Sequence, residues 1–111
     1  MQAVFLVLER EEYLEELLEA FLVEGVSGAT VIESTGMGKI MAEHVPIFAS
    51  LRNIMGDNNI VHNHTVFLVV EDQDVAKALR VVEGVLGDLN QPNTGVFFSL
   101  PVTFAKGLRK N

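Results

Sequence analysis

The 111-residue chain contains no cysteine and no tryptophan, only one tyrosine, and only three prolines. Without cysteine there is no disulfide scaffold and no thiolate metal site. Lysine and arginine are scarce, 8 against 15 aspartates and glutamates, for a net charge of −7. Such a balance argues against nucleic acid and anionic membrane as partners. Nor is there an apolar run of the 18 or so residues that spans a bilayer. The opening residues 1–8 lack a basic segment, and their apolar run stops at Glu9, too short for an export signal. A soluble cytoplasmic protein with no membrane insertion is therefore expected. What is abundant is apolar side chain, 49% of residues and about 57% once the nine glycines are added. An ordinary soluble domain counted that way reaches roughly 45–50%, so disorder is excluded and some apolar surplus needs a place to be buried.

The length suits a single domain over residues 1–111. Val4-Phe5-Leu6-Val7-Leu8 is a short apolar run bounded by charge, which predicts a buried strand. Leu14, Leu17, Leu18, Phe21 and Leu22 then recur at helical spacing, with Glu11, Glu12, Glu15, Glu16 and Glu19 around the rest and Gly25 placed to end the helix. Thr30-Val31-Ile32-Glu33-Ser34 is the second predicted strand and residues 65–70 the third. Asp72 or Asp74 is expected to cap a second helix whose stripe is Val75, Ala78, Leu79, Val82, Val85 and Leu86, ended by Gly87. Residues 96–100 form the fourth strand, closed by Pro101. The order βαββαβ predicts an α+β, ferredoxin-like fold, an antiparallel sheet with two helices on one face. Two helices cover one face only, yet both faces of the strands are apolar: Val4, Leu6 and Leu8 oppose Phe5 and Val7, and Val66, Leu68 and Val70 oppose Phe67 and Val69. An uncovered apolar face is an association surface, so a homo-oligomer packed through its sheets is expected.

Strands two and three are joined by the long segment 36–64, far beyond the usual ~4–6 residues, and segments of that length are usually functional. Pro46 stands at a helix start, and Ile47, Phe48, Leu51, Ile54 and Met55 recur at helical spacing up to Gly56. This predicts a short amphipathic helix, packed on its own or a neighbouring subunit or docked to a partner protein. His44, His62 and His64 lie in or beside the segment. They are candidate metal ligands, against the alternative of polar residues where the chain joins a strand, and no cysteine supports a closed site. No serine sits in a nucleophile elbow and no nucleophile, base and acid stand out together, so an enzyme is not expected. Gly36-Met37-Gly38-Lys39 offers backbone N–H groups and one cation to an anion, with a flexible hinge as the competing reading.

The run Gly28-Ala29-Thr30-Val31-Ile32-Glu33-Ser34-Thr35-Gly36-Met37-Gly38-Lys39 resembles the G-x-T-V-x-E-x-x-G-x-G-[RK] signature of the PII signalling family, which leads into that family's long T-loop. The length of segment 36–64 and the Gly-Val-Phe-Phe strand start fit as well. The resemblance implies a ferredoxin-like homotrimer that binds an adenine nucleotide (ATP, ADP or AMP) in clefts between subunits. Its T-loop would pass the nucleotide state to a transporter or a regulatory enzyme. By position it places Thr30 near the adenine, and Gly36, Met37, Gly38 and Lys39 near phosphate. Asn93, Thr94 and Gly95 then stand at the family's G-D-G-K turn, and Lys106 near a C-terminal phosphate-binding arginine. The chain departs from the pattern at Ile40, where the family has a glutamine, and at Gly95, where it has lysine. Phe67 replaces an acidic residue, Thr103 stands at an arginine position, and the long segment has no tyrosine to be uridylylated. Each lost phosphate partner removes a charge-assisted hydrogen bond, so magnesium-ATP and 2-oxoglutarate are disfavoured relative to AMP, ADP or another small ligand. Two alternatives stand beside this one: a metal-linked trimer resembling CutA through the histidines, and an interaction module for a membrane transporter that binds no ligand.

The charge is unevenly spread. Residues 9–24 hold seven glutamates and one arginine, a net of −6, so the other positions sum to −1. The acidity belongs to one helix and its flanks, and does not argue against a phosphate ligand elsewhere.

Overall fold

A computed structural model describes residues 1–44 and 63–108. The four strands are β1 (Gln2–Leu8), β2 (Thr30–Ser34), β3 (Asn63–Val70) and β4 (Gly95–Pro101). The helices are α1 (Leu14–Val23), α2 (Met37–His44) and α3 (Val75–Leu86). Strand order across the sheet is β2-β3-β1-β4, with every neighbouring pair antiparallel. The expected α+β, ferredoxin-like arrangement is thus present. Its register places Leu8 opposite both His64 and Gly95, and Gln2 opposite both Val70 and Pro101. One end of the sheet therefore gathers the end of β1, the starts of β3 and β4 and the end of β2. The other end gathers the chain start, the end of β3 and the residues after β4.

Alternation decides the core. Val4, Leu6 and Leu8 of β1 and Val66 and Leu68 of β3 face the helices and are buried with Leu17 and Phe21 of α1 and Ala78, Val81 and Val82 of α3. Four of the five expected α1 residues follow the periodicity: Leu17 and Phe21 are buried, and Leu14 and Leu18 pack on the cluster. Leu22 does not, at 65% exposed, although its neighbour Phe21 in the same turn is buried. In α3 the expected stripe omits Val81, which is buried; α3 meets both α1 and β1, so its apolar arc is wider than a single row.

α1 ends as expected. Gly25 has φ 81°, its N–H donates to Leu22 O (3.1 Å), and Val26 N–H donates to Phe21 O (2.8 Å), which is the paired bonding of a Schellman cap. The expected side-chain cap of α3 is not made. Neither Asp72 nor Asp74 bonds the helix start with its side chain. A 3-10 turn at Asp72–Asp74 leads into α3 instead, and Asp72 Oδ1 accepts from the Met1 α-amino group at 2.9 Å. Asp72 is thus engaged with the chain start rather than with the helix. β4 includes Pro101 as its last residue; β4 is an edge strand, where a missing N–H costs no ladder bond on the open side. Strand β3 starts at Asn63, two residues before the expected Thr65.

Among the described residues, the second face of the sheet bears no helix contact in the core cluster. Phe67, Phe5 and Phe98 are register partners across three strands and stack there, with ring centroids 5.8 Å and 5.1 Å apart. Around them Ile32, Val96, Phe98 and Leu100 are exposed. This is the uncovered apolar face inferred from the alternation. Among the described residues no helix is long and apolar enough to cross a membrane.

Candidate functional site

The segment Gly36-Met37-Gly38-Lys39 is not an open glycine turn. Gly36 O accepts from Ile40 N–H at 3.2 Å and α2 begins at Met37. Gly36 is tightly placed, since a Cβ there would stand 3.1 Å from Asn63 Nδ2. The two ends of the long segment thus meet where β2 and β3 pair. Nearby, Ser34 Oγ and Thr65 Oγ1 lie 2.9 Å apart.

At the same end of the sheet, on its far edge, lies the 93–95 turn. Asn93 adopts φ 60° and Thr94 is buried. Gly95 passes so close to β1 that a Cβ would stand 2.7 Å from Val7 O. Arg10 fastens the turn: its Nε donates to Asn93 O at 3.1 Å. The segment 36–39 and this turn are separated by β3 and β1, about 14 Å at ordinary strand spacing. Within one protomer they share an end of the sheet without touching.

Thr30 pairs with Phe67 in the middle of β3 and is exposed on the second face. Lys106 is exposed and belongs to the chain after β4, at the opposite end of the sheet. Its neighbours Gly107 and Leu108 line an open cleft of about 670 Å³, together with Val26, Gly28, Val70 and Glu71. The expected ligand residues are therefore divided between the two ends of the sheet. Within one protomer, residues 36–39 and the 93–95 turn lie at one end and Lys106 at the other.

Among the described residues no group of three histidine, aspartate or glutamate side chains could hold a metal. His64 is buried on the helix face, its Nε2 4.0 Å from Glu11 Oε1 and its Nδ1 without a partner. The backbone of His44 ends α2. His62 lies outside the described residues, as does the expected helix with Ile47, Phe48, Leu51, Ile54 and Met55. Sequence reasoning did not single out Arg10 or the cleft at the chain start. The signal for Arg10 was present, because it is the one basic residue within a run of seven glutamates. The cleft had none, since it joins four segments distant in sequence.

The fold and the division of candidate residues define the class first: a ferredoxin-like α+β protein with an uncovered apolar sheet face and a long β2–β3 connection. The profile of the nitrogen regulatory protein P-II family matches residues 1–111, and the chain belongs to that family. A search among curated proteins gave no significant match.

Proposed function

We propose that this chain is a PII-like signal-transduction protein that works as a homotrimer. It binds an adenine nucleotide or another small metabolite in clefts between subunits and signals to a partner protein through residues 37–63. The observation that carries this reading is the uncovered sheet face with its row Phe67, Phe5 and Phe98. Packing that face against other copies buries apolar surface at roughly 25 cal/mol per Å². Such packing would let Lys106 of one copy approach Lys39 or the 93–95 turn of another. A ligand gripped at residues 36–39 would bias the start of the long segment directly, because α2 begins there. Differential contact with a ligand is what a two-state segment needs in order to switch.

Sedimentation and thermal melting test both halves. We expect a three-copy species at micromolar concentration and a higher Tm with AMP or ADP by mass action. A monomer under those conditions refutes the assembly. A melting curve that no adenine compound moves refutes the nucleotide ligand. A shift that Lys39→Ala leaves intact removes residue 39 from the site.

A further inference from the structure

We infer that Arg10 is the side chain that holds an anionic group of the ligand, a phosphate or comparable oxyanion, at the 93–95 turn. The inference rests on the reading that a small metabolite binds at this end of the sheet.

The turn itself has no positive charge to offer. Gly95 cannot carry a side chain without displacing backbone, since its Cβ would lie 2.7 Å from Val7 O and 3.4 Å from Leu6 Cδ1. Thr94 is buried and its hydroxyl faces Pro92 O at 3.4 Å. Asn93 contributes a neutral amide. Any cation must come from a neighbouring element, and Arg10 stands there already.

Its placement is held at both ends. The Arg10 carbonyl accepts from Tyr13 N–H at 3.1 Å, starting the 3-10 turn Glu11–Tyr13, and its Nε donates to Asn93 O at 3.1 Å. A guanidinium is a planar fork of five N–H donors. With the Nε–H engaged, the two terminal amino groups remain, the pair that meets phosphate or carboxylate in a bidentate manner. Arg10 is exposed and makes no ion pair among the described residues, although Glu9, Glu11 and Glu12 surround it in sequence. The Glu11 carboxylate sits instead against His64. A solvent-facing guanidinium held through its Nε, with no carboxylate partner among the described residues, in a chain of net charge −7, has the chemistry of an oxyanion anchor. The Nε–H bond to Asn93 O restricts the side chain before the ligand arrives, which lowers the entropic cost of binding.

The test is calorimetric titration of ADP and adenosine into the full chain and into Arg10→Gln and Arg10→Lys, each checked for an unchanged melting curve without ligand. Loss of one charge-assisted phosphate contact should weaken ADP by ~10–100-fold in Arg10→Gln. Adenosine should bind that variant and the unmodified chain alike, and Arg10→Lys should recover part of the ADP affinity. Equal ADP affinity in Arg10→Gln overturns the assignment while leaving the nucleotide reading intact. Parallel losses for ADP and adenosine also overturn it, because they mark a residue that only shapes the turn. If the unmodified chain binds neither compound, the reading and the inference fall together.

Discussion

Two polar residues show how local chemistry competes with the roles their types suggest. Asp72 precedes a helix yet pairs with the Met1 amine. The hydrogen bond between them, reinforced by mutual attraction, holds the Asp72 carboxyl below its ordinary 3.8. The hydrogen bond to Asp72, with attraction to Asp72 and Glu71, raises the Met1 amine above 8.0. The depressed acid contributes stability above 3.8 that is lost as pH falls through its folded value. The raised amine contributes stability below 8.0 that is lost as pH rises through its folded value. Both groups are solvent-exposed, so the effect is small and screened by salt. Urea midpoints of the unmodified chain and Asp72→Asn should differ between about pH 4 and 8 and converge outside that window. His64 is the converse case, a buried imidazole with an unpartnered Nδ1. Because an apolar replacement leaves nothing unsatisfied, His64→Leu should match or exceed the stability of the unmodified chain in the same assay.

At the scale of elements, periodicity accounts for most of what is seen. Apart from Leu22, the α1 residues that recur at helical spacing pack in or against the core, and the helix stops where Gly25 takes φ 81°. Gly25→Ala should cost about 1–2 kcal/mol in denaturant unfolding, since an L side chain resists that conformation. A loss below 0.5 kcal/mol (roughly the scatter of neutral surface changes) would mean the cap relaxes without it. The elements that sequence misjudged lie where two local solutions compete. Residues 36–39 have the glycines of an anion-binding turn, but the Gly36 carbonyl is taken by Ile40 N–H and a helix starts. Glycine content cannot distinguish those outcomes, because glycine permits both.

For the whole molecule the deciding feature is a sheet with one face covered and the other not. Phe98 is 41% exposed in the protomer and stacks on Phe5 at 5.1 Å. Phe98→Lys should therefore leave the helix-side core intact while placing an unpaired charge in any sheet-to-sheet contact, which costs several kcal/mol. Sedimentation should show a slower, single-copy species with unchanged far-ultraviolet circular dichroism. An undiminished three-copy species would show that the contact lies elsewhere.

The amino-acid sequence by itself determined the fold class and the helices' share of the core. Helix periodicity is a short-range pattern and picked out Leu17, Phe21, Ala78 and Val82, which are buried; strand alternation separated Val4, Leu6 and Leu8 from Phe5 and Val7 but left open which set the helices cover. The sequence also showed that both strand faces are apolar, and among the described residues α1 and α3 pack on one of them. Only the tertiary structure decided which candidate residues meet. Register placed the 93–95 turn and residues 36–39 at one end of the sheet and Lys106 at the other. It brought Arg10 to Asn93 across 83 positions of chain and His64 to Glu11. Such meetings depend on how strands align in space, and no local pattern of residue types encodes that alignment.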